Sequence, residues 1–268
     1  MGAGLSQEEA SQSQPSVEQT SSNSQSLIEA KPSEIKAKAT DNASEAKPNG
    51  NNKAKEAEKA LRGIHRLEEI TKDADGTVDY SSLDKLLTKL QDGIFLNQKR
   101  KASFKYWIDR MANNCFMLYA RDLSITWAED NRYWRWPQHK EKSDEVIEVA
   151  ELMNVCWLEV HGKFDTTKLS PGTLYEVAFV VMVKHPAYGW DTAPVNVALC
   201  LPDGSKQERN INMSQQPMNQ WVEIVAGKFR TSPEKLGEIQ FSMYEYHGGK
   251  WKKGLVIKGV AIQPRIIY

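Results

Sequence analysis

The sequence is poor in the residue types that build disulfide scaffolds, metal sites and common catalytic centres. Its 268 residues include only three cysteines, Cys115, Cys156 and Cys200, which are widely spaced and odd in number. This pattern argues against a disulfide scaffold and against a zinc site. The five histidines are scattered, and the sequence has no glycine-rich phosphate loop and no nucleophile elbow. We therefore expect no metal, no cofactor and no enzymatic activity.

The chain also lacks an excess of charge and a long hydrophobic run. It has 35 basic and 35 acidic residues, so no net field draws it to nucleic acid or to acidic membranes. No apolar run reaches the roughly 18 residues that span a bilayer, and the N-terminus lacks the blocks of a secretory signal. A cytoplasmic protein is the natural interpretation.

The first residues match a short lipidation pattern. In Met1–Ser6, Gly2 is followed four residues later by a serine, as N-myristoylation requires. A single myristoyl chain binds a membrane only marginally, and neither a nearby cysteine nor a basic patch adds a second signal. Gly2 therefore predicts at most weak, reversible membrane contact.

The chain falls into three regions, of which the first two precede the main domain. Residues 1–59 are polar and have almost no aromatic residues, so they bury too little surface to offset the entropy of ordering, and we predict a disordered tail. Residues 60–104 form a predicted helical region and linker, in which Ser81 and Ser82 offer an N-cap for the second helix. Its two apolar stripes are Leu61, Ile64, Leu67 and Ile70, then Leu83, Leu86, Leu87, Leu90 and Ile94. They pack on each other, on the next domain or on a second copy, so a homodimer stays open.

The third region, residues 105–268, has the pattern of an antiparallel β-sandwich. Short runs of alternating apolar residues are separated by turns rich in glycine, proline, aspartate and asparagine. The run from Tyr175 to Val183 is apolar on both faces, which predicts a central strand. Ile239, Phe241 and Met243 share one face of another strand, and Glu245 continues that face, where an ionised carboxylate needs a partner.

One stretch, residues 121–136, is unusually rich in tryptophan. Leu123, Ile125 and Trp127 alternate with polar residues, which predicts a strand, and a polar loop follows that carries Trp134 and Trp136. An indole offers a flat apolar face and one N–H donor. A sugar ring matches such a surface because its C–H groups form an apolar face and its hydroxyls need hydrogen-bond partners. Core packing is the competing interpretation of these tryptophans.

Several segments of the chain resemble the phloem lectin family (phloem protein two), which includes the Nictaba-like lectins. The resemblance covers roughly residues 105–268 and depends on four ordered motifs. They are Ala120–Trp127 with Tyr133 and Trp134, Glu148–Leu152 with Cys156–Glu159, Phe241–Glu245, and Trp251–Gly259 with Pro264.

The resemblance implies a jelly-roll β-sandwich and a lectin that binds N-acetylglucosamine oligomers, chitin fragments or N-glycan cores. By position in the matching motifs, the carbohydrate-binding residues of the family fall on Trp127, Trp134, Glu238 and Glu245. Trp127 or Trp134 would stack on a sugar ring, and a glutamate would accept hydrogen bonds from hydroxyl or N-acetyl groups. The resemblance also implies a cytoplasmic protein of phloem sieve elements or companion cells. The lysine-rich nuclear signal of Nictaba has no counterpart in residues 202–220, which leaves nuclear entry open.

The remaining tryptophans have weaker indications. Trp136 could extend the stacking surface to a second ring, and Trp190 lies in a loop that could line the site or cap it. Trp157, Trp221 and Trp251 lie in or beside predicted strands, so we assign them to the core or its edge.

Two other functions remain open. An RNA- or protein-binding component of phloem transport is the alternative, although the basic cluster Lys99–Lys101 is better explained as a solvated linker. A glycosidase would need two carboxylates on either side of the scissile bond, for which Glu238 and Glu245 are the candidates.

Overall fold

The computed structural model describes residues 59, 61–76, 78, 82–96, 104–142 and 145–265. The predicted tail up to residue 58, Gly2, Ser81 and the cluster Lys99–Lys101 lie outside these residues. No helix of the described part combines the length and the hydropathy that a membrane crossing requires.

Two helices precede the sheets, as the apolar stripes predict. Helix α1 spans Leu67–Thr71 and helix α2 spans Leu83–Asp92. Helix α2 ends at Gly93, whose φ of 94° is readily accessible only to glycine. The prediction that Ile94 continues the helical stripe is therefore wrong, because Ile94 begins a strand.

Fifteen strands follow within the described residues. They are β1 (Ile94–Leu96), β2 (Phe104–Ile108), β3 (Asn114–Tyr119), β4 (Ser124–Ile125), β5 (Trp134–Arg135), β6 (Gln138–Lys140), β7 (Val146–Glu148), β8 (Ala150–Leu152), β9 (Leu158–Asp165), β10 (Leu174–Tyr188), β11 (Val195–Cys200), β12 (Lys206–Ile211), β13 (Trp221–Arg230), β14 (Glu238–Glu245) and β15 (Lys253–Pro264). The predicted strand at residues 121–127 shrinks to β4, because Ala120–Asp122 form a 3-10 turn and Trp127 leaves the extended conformation.

The strands form two large antiparallel sheets and one small hairpin. One sheet has eight strands in the order β1-β2-β3-β15-β10-β13, with β8 paired to β15 and β5 paired to β8. The other has five strands in the order β12-β11-β14-β9-β4, and β6 pairs with β7. Strand β10 has a partner on each side, which confirms the prediction of a central strand.

The core lies between the two large sheets. The rings of Phe179 on β10 and Phe241 on β14 meet edge to face, with centroids 6.0 Å apart. The rings of Phe116 on β3 and Phe164 on β9 lie 4.8 Å apart. These contacts confirm the predicted antiparallel sandwich. Cys115 is buried, whereas Cys156 and Cys200 are half-buried.

The helical region packs into the same core as the sheets. Ile70 and Leu90 belong to one continuous apolar cluster with residues of both sheets. The buried Asn114 on β3 donates from its Nδ2 to the carbonyl oxygens of His65 and Lys168, each at 2.8 Å. Because Asn114 bonds both segments, the chain just before α1 is held against the turn that follows β9.

We predict that Leu90→Ala lowers the free energy of unfolding of the whole domain by about 2–5 kcal/mol. Leu90 is 0% exposed and its cluster includes both sheets, so a cavity there weakens helix and sandwich together. Urea denaturation followed separately by far-UV and near-UV signals measures this. The exposed Lys85→Ala on the same helix is the matched control and should change little. A near-UV transition that stays in place while helical signal is lost would contradict the shared core.

Candidate functional site

The indole of Trp127 lies at the end of the five-stranded sheet where β4 stops. The amide of Thr126 still donates to the carbonyl of Glu159, at 3.1 Å, and the amide of Ala128 then closes a turn on Ile125. Between these two bonds, Trp127 adopts a left-handed φ of 61°, which is unfavourable for a bulky side chain. Its ring packs on Tyr133, with centroids 5.1 Å apart, and the residue remains 46% exposed.

A second half-exposed indole, that of Trp157, lies directly before β9. Trp157 is 42% exposed, and its ring stacks on Tyr246 with centroids 4.4 Å apart. The Tyr246 ring stacks in turn on Tyr244, at 5.3 Å. The Trp157 ring is therefore held by a ladder of aromatic rings and does not project alone into solvent.

The carboxylate of Glu159 joins the segments that carry the two indoles. Its Oε2 accepts from the Thr126 hydroxyl at 3.0 Å and from the Trp157 indole N–H at 2.9 Å. Its Oε1 lies 3.1 Å from Nε2 of His161. The Trp157 N–H first, and then His161 and Thr126, hold the pKa of Glu159 below its ordinary value. We call Trp127, Tyr133, Trp157, Glu159 and Tyr246 the indole site.

The third tryptophan of this region, Trp134, lies beneath the indole site. It is only 1% exposed, and its N–H donates to the carbonyl of Thr126 at 3.1 Å. The Trp134 ring is thus enclosed by protein in this structure, and its expected stacking on a sugar stays a prediction. Its indole instead supports the backbone immediately before Trp127.

Glu245 is also beneath the surface, at the end of β14. It is 2% exposed, forms an ion pair with the buried Lys252 and accepts from the amide of Gly248 at 2.6 Å. The Lys252 ammonium donates further to the carbonyls of Cys156 and Lys250, at 2.7 and 3.0 Å. The carboxylate of Glu245 already has these partners, and its expected contact with a sugar stays a prediction. The sequence-based expectation that this carboxylate needs a partner is confirmed.

Glu238 does not belong to the same end of the sandwich. It begins β14 whereas Glu245 ends it, and seven strand residues span about 23 Å. Glu238 is paired with Lys163, at 3.0 Å, and its side chain is 45% exposed. The structure therefore does not bring Glu238 together with Glu245, and its expected role in carbohydrate binding stays a prediction. The separation also far exceeds the roughly 5–10 Å between paired glycosidase carboxylates, so Glu238 and Glu245 are not such a pair.

Other tryptophans differ from the sequence-based expectations. Trp157 and Trp251, assigned above to the core or its edge, are 42% and 50% exposed. Trp190 is buried and donates to the carbonyl of Lys253, so it caps the structure and does not line the site. The Arg121 guanidinium lies 3.7 Å from the centroid of the Trp136 ring, so one side of that ring is already occupied.

The outward position of Trp157 and Glu159 has a signal in the sequence. Glu159 and His161 alternate with the buried Leu158 and Val160, so β9 has one outward polar face that begins at Trp157. Treating Trp157 and Leu158 together as core residues concealed this alternation. Within the described residues, no cluster of three or more histidine, cysteine, aspartate or glutamate side chains could hold a metal ion.

Comparison with known proteins gives consistent matches over this part of the chain. A family model for phloem protein 2 matches residues 113–264. The protein PHLOEM PROTEIN 2-LIKE A1 of Arabidopsis thaliana is 48% identical over 207 residues, which cover 76% of this chain and 82% of that protein. A protein of Luffa acutangula named lectin is 47% identical over 205 residues, which cover 75% of this chain and 94% of that protein. The range matched by the family model contains every residue of the indole site.

We predict that Trp157→Phe raises the pKa of Glu159 toward its ordinary value. Phenylalanine keeps a ring for the stack on Tyr246 but removes the N–H that stabilises the ionised carboxylate. An NMR titration of the side-chain carboxyl measures the shift. Trp127→Phe is the control, because the structure shows no bond from the Trp127 ring to Glu159. An unchanged pKa in Trp157→Phe would contradict the network.

Truncation of the two tryptophans at either end of the loop should change the free energy of unfolding by very different amounts. We predict that Trp134→Ala lowers the free energy of unfolding by about 3–5 kcal/mol, because it leaves a cavity in the core. Trp127→Gly should change it by less than about 1 kcal/mol, since glycine relieves the left-handed backbone. Chemical denaturation measures both. A loss in Trp127→Gly as large as that in Trp134→Ala would show that Trp127 is a packing residue.

Proposed function

The chain belongs to the phloem protein 2 family, and from this membership we propose that it is a carbohydrate-binding lectin that catalyses no reaction. The relative from Luffa acutangula is named lectin, and the match covers 94% of its length. We propose N-acetylglucosamine oligomers, chitin fragments and N-glycan cores as its ligands.

The observation that carries the proposal is the pair of half-exposed indoles in the indole site. Trp127 and Trp157 are each backed by a tyrosine ring and each keep more than two fifths of their surface in solvent. Trp127 does so in a left-handed backbone conformation that is unfavourable for stability. Two indoles fixed in this way have a better explanation as ligand contacts than as packing.

Glu159 supplies the polar part of the proposed recognition. A carboxylate offers about four lone-pair sites, and Thr126, Trp157 and His161 occupy three. One site therefore remains for a sugar hydroxyl or an N-acetyl N–H, at the strength of a charge-assisted hydrogen bond. His161, which is half exposed beside it, adds a second polar group at the same point.

The buried residues Trp134 and Glu245 contribute to the proposed site by holding its loops in place. Trp134 holds the carbonyl of Thr126, and Glu245 holds Lys252, so both act on the loops that present the indoles. We predict that Trp134 and Glu245 affect binding indirectly, because they set the positions of these loops. Glu238 has no part in this site, and any contact with a ligand would occur at the far end of β14.

We also propose a cellular location from family membership. We propose the cytoplasm of phloem sieve elements or companion cells. Weak membrane contact through Gly2, a homodimer and nuclear entry remain proposals that need separate tests.

We predict that the unchanged protein binds chitotriose in isothermal titration calorimetry and that Trp127→Ala and Trp157→Ala each weaken binding. Loss of one stacking face should cost about 1–3 kcal/mol, or about 5- to 150-fold in affinity. Both residues are half exposed, so both variants should remain folded by near-UV circular dichroism.

Trp221→Ala is the matched control, because it removes a partly exposed indole from β13 in the other sheet. It should leave the affinity unchanged. If the protein binds no chito-oligomer but binds RNA with a steep salt dependence, the alternative function replaces this one. Release of product from a chromogenic chito-oligomer would instead indicate a glycosidase.

A further inference from the structure

Trp251 is a half-exposed indole that the indole site does not include. It is 50% exposed and lies between β14 and β15, directly before Lys252. An indole on a poorly held loop has no defined position, so the contacts of its backbone decide whether it can form a binding surface.

The backbone around Trp251 is held from two sides. Lys252 and Val155 exchange both backbone hydrogen bonds, at 2.6 and 3.1 Å. On the other side, Gly189 approaches so closely that a Cβ there would lie 2.0 Å from the carbonyl oxygen of Trp251. Gly189 also has a left-handed φ of 82°, so the close approach and the turn both require glycine. The exposure of Trp251 therefore belongs to a well-supported conformation.

The buried ammonium of Lys252 connects Trp251 to Trp157. It donates to the carbonyl of Cys156, which immediately precedes Trp157, and to the carbonyl of Lys250, which immediately precedes Trp251. Glu245 balances its charge and accepts from Gly248 in the same loop as Trp251. One buried group thus fixes both backbone segments that carry half-exposed indoles.

Polar side chains lie on the segments next to the backbone of Trp251. Tyr188, which pairs with Lys253 and is 48% exposed, donates its hydroxyl proton to Oδ1 of Asn154, at 2.9 Å. Asn154 lies in the loop between β8 and β9 that also carries Trp157. These segments therefore carry a hydroxyl and an amide besides the indole, and such a combination of groups suits a further sugar ring.

We propose that Trp251 forms a second contact region for the same carbohydrate chain, so that the ligand is an extended oligosaccharide that reaches from the indole site across the loop 153–157. This inference rests on the proposed lectin function and adds a second contact residue for its oligosaccharide ligand. Lys252 is a positioning residue, because it sets the relation between Trp157 and Trp251 and is itself buried.

The test compares a short and a long ligand, chitobiose and chitopentaose, by calorimetry on the full chain. Trp251→Ala should weaken chitopentaose binding by about tenfold, the equivalent of about 1.4 kcal/mol, and leave chitobiose binding unchanged. Trp157→Ala should weaken both, and Trp221→Ala should weaken neither.

The outcomes separate this inference from the proposed function. If the unchanged protein binds chitopentaose and Trp251→Ala binds both ligands as tightly, or loses both equally, the extension is overturned and the lectin function stands. If the unchanged protein binds neither ligand, both are overturned. Should Trp251→Ala fail to fold, Trp251→Phe, which keeps a smaller ring, should show a partial loss for chitopentaose alone, and equal affinity would overturn the extension.

Discussion

The arrangement of the loops that carry Trp157 and Trp251 depends on one buried ion pair, that of Lys252 and Glu245. Removing two charges from water is costly, and such a pair is retained where further hydrogen bonds satisfy both groups. Here the ammonium also bonds two backbone carbonyls, and the carboxylate also accepts an amide N–H. These bonds join the loop before β9 to the loop before β15. The pair therefore determines geometry at the place where exposed indoles are presented.

Five of the eight tryptophans divide into two groups according to burial. Trp134 and Trp190 are buried, and each donates its N–H to a backbone carbonyl of another segment, that of Thr126 after β4 and that of Lys253 at the start of β15. Trp127, Trp157 and Trp251 are half exposed, and the segments that carry them are fixed by backbone or side-chain hydrogen bonds. The same residue type thus supplies rigidity below the surface and apolar faces above it. A rigid contact surface loses little conformational entropy when a ligand binds.

Much of the fold could be predicted from the sequence, because alternation of apolar residues reports burial directly. The central strand β10 and the buried face of β14 both follow from such alternation. The end of α2 could also have been predicted, since Gly93 precedes Ile94. The short β4 could not, because Trp127 continues the apolar alternation of a strand while its backbone turns away. Local pattern contains no information about where a neighbouring strand ends.

The site was only partly predictable. The motif around Trp127 and Trp134 singled out one loop, but it did not reveal that Trp127 is half exposed and Trp134, at the start of β5, is buried. Glu245 was correctly expected to need a partner, but Lys252 lies in another loop and only the fold brings them together. Glu238 and Glu245 were both assigned by their positions in the matching motifs, but they lie at opposite ends of the extended strand β14. Trp251 needed the structure, since half exposure at a loop has no sequence signature, whereas the outward position of Trp157 follows from the alternation along β9.

The most direct measurement is an NMR titration of the indole N–H signals with chitotriose, with each tryptophan assigned by substitution. We expect the signals of Trp127 and Trp157 to shift with ligand concentration, while those of the buried Trp190 and of Trp221 on the opposite sheet stay in place. Shifts confined to Trp221, or the absence of any shift at saturating ligand, would contradict a saccharide site at this end of the sandwich.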